Sequence, residues 1–279
     1  MTNPPPDRPA LTDRAALLRQ RARAERGGFA DVLHRIAADE IHDRLSEVNR
    51  RFTAPAVVTG FPAFWAPEFP QARIVSDESV LDLEAGAHDL VIHAMALHWA
   101  DDPVGQIIQC ARALRPDGLF IAVCPGGQSL YELRAALAQA EAEATGGLSP
   151  RVLPMGEIRD MGALLGRAGL ALPVADLMPQ KASYRDLFHL ARDLRAMGEG
   201  NAMAARLRRP TGRGVLARAA AIMADHYPDR DNPSRISVTF DLVFLTGWSP
   251  SDTQPRPLRP GSATTRLEDA LNELRNRKT

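Results

Sequence analysis

The sequence predicts an α/β fold built on a mainly parallel sheet. Apolar runs long enough for buried strands alternate with helical patterns along the chain, an order of elements typical of such folds. The runs at 90–97 and 119–124 are almost continuously apolar, as strands covered on both faces of a parallel sheet are. A helical pattern and a Pro-Asp-Gly turn lie between them, so together the segments predict a βαβ unit with a right-handed crossover.

Composition indicates a globular protein and excludes several classes of function. The 279 residues are 45% hydrophobic and 24% charged, which is ordinary for a packed domain. The formal net charge of 0 predicts no nucleic-acid partner. Two cysteines cannot form a disulfide framework, and no window approaches the roughly 18 apolar residues of a membrane span. The N-terminus lacks the apolar core of a signal peptide, so we expect a cytoplasmic location.

The first part of the chain predicts helices followed by two short strands. Residues 1–50 form a disordered lead and helices, because apolar positions recur at helical spacing from Leu11 to Arg51. Ala56–Val58 predicts a buried strand, and Ala72–Val75 predicts a second one. Between them the segment FPAFWAPEFP contains three prolines, which predict that it forms no regular helix.

The rest of the chain predicts further alternation within one domain, residues 51–250, followed by a Pro-rich tail at 251–279. A helix begins at Asp102-Pro103, where a first-turn proline is tolerated. The other expected elements are helices at Ser129–Ala144, Ile158–Ala168, Tyr184–Met197 and 214–226, an edge strand at 171–184 and an alternating strand at Ile236–Leu245. The stretch at about 184–230 is expected to be a helical insertion.

Several phrases of the sequence resemble one known family. The run HDLVIHAMALHWADDPVGQIIQCARALRPDGLFIA resembles the second half of class I S-adenosylmethionine methyltransferases. The phrases GGQSLYELR, RDLRAMGEGNA and GWSPSDTQPRPLRPGSA resemble the methyltransferase-like assembly factors of respiratory complex I, which include a protein-arginine hydroxylase. The resemblance implies a Rossmann-like class I methyltransferase fold with helices on both faces of the sheet. It also implies S-adenosylmethionine as cofactor and a complex I subunit as protein partner.

The cofactor-binding half is expected to be shortened. A glycine-rich turn after the first strand lets backbone approach the cofactor, and here the matching text, VVTGFPA, keeps only Gly60. Gly60 and Asp89 stand 29 positions apart, too few for the helix, strand, helix and strand that usually lie between them. One βα unit and one anchor of the cofactor are therefore missing. By the resemblance Asp77 contacts the adenine, although its distance from Gly60 also suits the ribose acid.

The candidate site residues fall into two groups. The cofactor-binding candidates are Gly60, Asp77, Glu78, His93, Ala94, His98 and Trp99. The substrate-side candidates are Gly126, Gly127, Tyr131 and Glu132. No catalytic residue and no metal site is predicted, because the seven histidines are scattered.

Each candidate also has a purely structural interpretation. Asp77 could cap a helix, His93 could be a buried hydrogen-bonded residue, His98 and Trp99 could be packed side chains, and Glu132 could complement a helix dipole. Two hypotheses of function follow. The protein is a methyltransferase-like enzyme that methylates or hydroxylates a protein partner, or it is a binding and assembly factor of the same fold that has lost the cofactor.

Overall fold

The computed structural model describes residues 10–254, which form one six-stranded sheet and the helices around it. The strands are β1 (Pro55–Thr59), β2 (Arg73–Ser76), β3 (His88–Ala94), β4 (Leu114–Gly126), β5 (Ala171–Tyr184) and β6 (Ile236–Trp248). The helices are α1 (Arg14–Gly27), α2 (Val32–Glu47), α3 (Pro62–Glu68), α4 (Pro103–Ala113), α5 (Tyr131–Thr145), α6 (Ile158–Arg167), α7 (Leu187–Ala196) and α8 (Arg213–His226). The predicted lead at 1–9 and most of the predicted tail lie outside the described residues.

The predicted α/β fold with a mainly parallel sheet is confirmed. The strand order is β2-β1-β3-β4-β6-β5, and the first four strands of this order are parallel. Strand β6 runs antiparallel to both of its neighbours, and β5 forms the edge. Doubly wound Rossmann folds place two strands outside the first one, whereas here β2 stands there alone. The shortened first half therefore takes the form of a sheet with one strand fewer on that side.

Alternate side chains of the central strands enter two apolar cores, one on each face of the sheet. Val57 and Ile92 point into the larger core, which contains side chains of α2, α3, α5, α7 and α8. Val58, Val91 and Phe120 point into the other core, against α4 and α6. Every residue of β3 is buried, as its continuous apolar run predicts. The helices thus cover both faces.

Two details of the first part of the chain differ from the predictions. The single helical pattern divides into α1 and α2 at Gly28, whose φ of 93° is unfavourable for other residues. The prediction that FPAFWAPEFP excludes a helix is wrong, because α3 forms there. Pro62 occupies the first turn, where no N–H is needed, and Pro67 lies one residue before the helix ends at Glu68.

Helix α1 lies across the carboxyl edge of the parallel strands. Its first turn is capped by Asp13, whose side chain accepts a hydrogen bond from the Ala16 backbone N–H at 3.0 Å. The Thr12 hydroxyl donates to the Trp99 carbonyl at 2.7 Å. Leu17 is fully buried in a small cluster with Trp99, Leu153 and their neighbours. The helix is thereby held over the edge where ligands of α/β proteins bind.

Candidate functional site

The predicted cofactor-side residues gather at the carboxyl ends of the parallel strands. Gly60 directly follows β1, and Asp77 directly follows β2. His98 and Trp99 lie in a short 3-10 turn after β3, and Gly126 is the last residue of β4. In open α/β sheets this edge is the usual place for a ligand. The fold therefore brings most of the candidates to one end of the sheet.

Asp77 is buried between two arginines of α1. The Arg21 Nη1 lies 2.9 Å from each carboxylate oxygen of Asp77, and the Arg14 Nη2 lies 2.8 Å from Oδ1. Burial by itself raises the pKa of Asp77, but the hydrogen bond from Arg14 and the positive charge of Arg21 outweigh it, so this pKa lies below its usual range. Within residues 10–254 no helix begins between Asp77 and β3, so Asp77 is not a helix cap. We call Arg14, Arg21 and Asp77 the Asp77 cluster.

The Arg21 guanidinium also fills the space in front of Gly60. A Cβ atom placed on Gly60 would lie 2.1 Å from the Arg21 Cζ, so the guanidinium packs directly on the backbone of this turn. The same guanidinium carbon lies 5.5 Å from the centre of the Phe61 ring. The bare glycine turn that a cofactor would approach is thus occupied by a side chain of the protein itself. S-adenosylmethionine could approach this turn only if the Arg21 side chain moved away from Gly60.

His93 has a structural role beside the Asp77 cluster. It is fully buried in β3, and its Nε2 lies 2.7 Å from the Gln106 Oε1. The Gln106 Nε2 donates to the Glu78 carbonyl at 3.0 Å, so the Gln106 oxygen accepts and His93 carries its proton on Nε2. Burial lowers the pKa of His93 and keeps the imidazole neutral. The Glu78 side chain is half exposed and pairs with Arg14 at 3.0 Å, while Ala94 ends the buried strand.

A second site lies beyond the Asp77 cluster, around Glu199, which is not among the predicted candidates. Glu199 follows α7, and its Oε2 accepts a hydrogen bond from the Trp99 Nε1 at 2.8 Å and lies 3.1 Å from the His98 Nε2. Burial raises its pKa, but the nearby charge of His98 and the hydrogen bonds from His98 and Trp99 outweigh it, so the pKa of Glu199 is lowered. Glu199 lies in the phrase RDLRAMGEGNA, which is part of the family resemblance, and this phrase was the feature of the sequence that could have indicated it.

Glu199, His98 and Trp99 line a cavity of about 210 Å³, which we call the Glu199 cavity. Its walls are mainly apolar side chains, among them Leu33, Leu130, Leu133, Val152, Leu153, Met155, Leu194, Met197 and Phe240, and the side chains of Ser129, Arg151, Arg195 and Asn201 also line it. The Glu199 Oε1 has no hydrogen-bond partner among residues 10–254. A carboxylate oxygen is therefore available to a ligand in this cavity.

The structure does not bring the substrate-side candidates into the Glu199 cavity. Glu132 is buried, and it accepts hydrogen bonds from the Thr239 hydroxyl at 2.6 Å and from the Thr239 backbone N–H at 3.2 Å. Tyr131 is partly exposed and contacts the Tyr227 ring edge to face at 5.8 Å. Gly126 packs on the Val243 side chain, and Gly127 has a φ of 52° in the turn after β4. Their neighbours Pro125, Ser129 and Leu130 line the cavity instead.

Two features are absent from the described residues, a cluster of side chains that could hold a metal ion and a helix that could span a membrane. Residues 10–254 contain no group of three or more His, Cys, Asp or Glu side chains arranged to hold a metal ion. None of the helices within the same residues has the length and hydropathy of a membrane span.

Comparison with known proteins identifies relatives of this chain. A family model described as a methyltransferase domain matches residues 32–122. The arginine-hydroxylase NDUFAF5 of Danio rerio is 34% identical over 202 residues, which cover 72% of this chain and 62% of the relative. The protein of that name from Homo sapiens is 36% identical over 209 residues, covering 75% and 59%. Among solved structures, the YcgJ protein from Bacillus subtilis has a TM-score of 0.47 at 12% identity, covering 77% of this chain and 99% of that chain.

These comparisons also correct one prediction. Both NDUFAF5 proteins are named as mitochondrial, and this finding overturns the predicted cytoplasmic location. The chain spans about three fifths of the length of these relatives.

Proposed function

We infer a function from the relationship of this chain to the arginine hydroxylases named NDUFAF5, of which it is a homologue, and from its methyltransferase-type domain. We propose that it acts on a protein partner, a subunit of respiratory complex I. In this proposal the Glu199 cavity holds a cationic side chain of that partner. The Oε1 of Glu199, which has no partner among residues 10–254 and lies at a cavity with mainly apolar walls, carries the proposal. The name of the relatives favours arginine as the side chain that is bound.

The size and lining of the cavity support a side chain as its ligand. A volume of about 210 Å³ is smaller than the roughly 300–1,000 Å³ of sites for drug-sized molecules. Apolar walls suit the methylene stem of an arginine, and a carboxylate oxygen accepts a charge-assisted hydrogen bond from its guanidinium. Trp99 and His98 hold the other oxygen, so Glu199 is oriented and ionised before the partner binds.

A peptide titration tests this proposal. A fluorescent peptide with one arginine between glycines is expected to bind the wild type, and Glu199→Gln should weaken its binding about 10- to 100-fold, because a hydrogen bond between charged groups contributes about 1.5–3 kcal/mol. The same peptide with citrulline, which has nearly the same shape without the charge, should bind both proteins equally weakly. The exposed Glu84 offers a matched control as Glu84→Gln. Equal affinity of wild type and Glu199→Gln for the arginine peptide would refute the proposal.

A second candidate function is transfer of a methyl group from S-adenosylmethionine. The match to the methyltransferase domain favours it, because residues 32–122 include Gly60 and Asp77. Binding of the cofactor would require Arg21 to leave the Gly60 turn and Asp77 to exchange its two arginines for the ligand. The geometry therefore supports the partner-binding proposal better than it supports the cofactor-dependent one.

Calorimetric titration with S-adenosylmethionine decides between the two candidates. We expect no saturable heat from the wild type up to millimolar ligand, since Arg21 occupies the turn. We expect none from Arg21→Ala either, since the sheet of residues 10–254 contains no strand that would carry the second anchor. S-adenosylhomocysteine serves as the parallel ligand. Saturable binding by the wild type would establish a working cofactor site, and binding by Arg21→Ala alone would identify Arg21 as a block on an otherwise complete site.

A further inference from the structure

A groove lined by arginines adjoins the Glu199 cavity, and we call it the arginine groove. It has a volume of about 510 Å³ and shares the residues Arg151, Arg195, Gly200 and Asn201 with the cavity. The rest of its lining is Gln20, Arg23, Leu137, Pro150, Arg206, Leu207, Arg209, Pro210, Thr211 and Leu216. A chain whose side chain enters the cavity would therefore continue along this groove.

The arginines of the groove differ in their partners. Arg151 is paired with Glu141 at 2.7 Å, and Arg206 is paired with Asp13 at 2.9 Å. These pairs hold the walls in place and have little unneutralised charge.

Three further arginines leave the groove positive. Arg23, Arg195 and Arg209 are exposed, and none of them has a carboxylate partner among residues 10–254. No aspartate or glutamate from the described part of the chain lines the groove. Since the whole chain has a formal net charge of 0, this is a local concentration of positive charge. Such a surface favours an anionic ligand.

We infer that the arginine groove binds an acidic segment of the protein partner, next to the side chain held by Glu199. The inference rests on the proposed function for the position of that side chain. Residues 255–279 do not suit the groove, because they contain six basic and three acidic residues. Single-stranded nucleic acid is less suitable, because it binds through stacked aromatic rings as well as positive charge, and none of the described residues that line the groove is aromatic.

Fluorescence anisotropy with four labelled peptides tests the inference. The peptides combine a central arginine or alanine with flanks of glutamate or glutamine. Glutamate flanks should increase affinity for the wild type about tenfold at low salt, and the increase should fall as salt is added. The double variant Arg195→Glu/Arg209→Glu should lose this increase with either central residue. Arg192→Glu, an exposed position on the same helix as Arg195 but outside the groove, should keep it.

The outcomes separate the groove from the cavity. Suppose that Glu199→Gln leaves the affinity for the arginine peptides unchanged, while the double variant still loses the gain in affinity that glutamate flanks give. The proposed function then fails and the groove assignment stands. Equal binding of glutamate and glutamine peptides overturns the groove assignment, as does an equal loss in Arg192→Glu. A labelled uridine oligonucleotide that binds the groove more tightly than the glutamate peptides would overturn it as well. Circular dichroism of each variant verifies that the charge reversals leave the fold intact.

Discussion

Asp77→Ala is expected to lower the free energy of unfolding by about 3–5 kcal/mol, because it removes the charge that compensates a buried guanidinium. The Arg21 side chain is only 4% exposed, and two of its nitrogens, Nε and Nη2, already lack hydrogen-bond partners among residues 10–254. Without Asp77 the positive charge would remain buried against the Gly60 turn. Urea denaturation measures the loss, and an unchanged slope with denaturant shows that the unfolding transition is otherwise the same.

A double variant provides the control for this prediction. Asp77→Ala combined with Arg21→Leu removes both charges and fills the space in front of Gly60 with an apolar side chain, so it should recover most of the lost stability. If Asp77→Ala alone costs less than about 1 kcal/mol, the Asp77 cluster is not a buried ion pair in solution. A ligand would then have access to the carboxylate.

The wild type is expected to lose about 3 kcal/mol more stability than His34→Gln between pH 7 and about pH 4. Burial lowers the pKa of His34 from 6.5 to about 3, and the ring accepts a hydrogen bond on Nδ1 from the Trp65 Nε1 at 3.0 Å. Below pH 6.5 the unfolded chain takes up a proton on His34 that the folded protein does not. The contribution of His34 to the free energy of unfolding is therefore fully present above pH 6.5 and is lost as the pH falls toward 3.

Denaturant titrations at several pH values measure this difference. The glutamine oxygen can still accept the hydrogen bond from Trp65, so His34→Gln removes the titration while keeping the contact. The pKa of His93 is lowered as well, but His93 is present in both proteins. The difference between their curves of unfolding free energy against pH therefore isolates the contribution of His34. Parallel curves would show that the His34 ring is solvated and can accept a proton in the folded state.

The sheet could be predicted from sequence because its signals are local. The strands β1 and β3 contain short apolar runs, β4 contains the apolar run at 119–124, and β6 contains the alternating run at Ile236–Leu245. Helix α4 begins at a proline and a capping aspartate that accepts from the Gly105 N–H. Helix α3 could not be predicted, since its prolines break a helix in most positions and are tolerated here only at the first and last turns.

The site could be predicted only in part. The carboxyl ends of the strands indicated where Gly60, Asp77 and Trp99 would lie. The partners of Asp77 could not be predicted, because Arg21 is 56 positions away and reaches it only through the packing of α1. Glu199 lies 100 positions from Trp99, and its role depends on the path of the chain after α7.

The attachment of α1 has a consequence for the order of folding during synthesis. The Asp13 N–H donates to the Ala202 carbonyl, and Thr12 forms an isolated bridge with Met203. During synthesis, helix α1 therefore cannot complete its contacts until residue 203 has been made. Until then Leu17, which is fully buried in the folded protein, and Asp77 at the end of β2 remain exposed to other molecules, and closing so long a loop is slow. The segment that covers this edge of the sheet is thus synthesised early but packs only late.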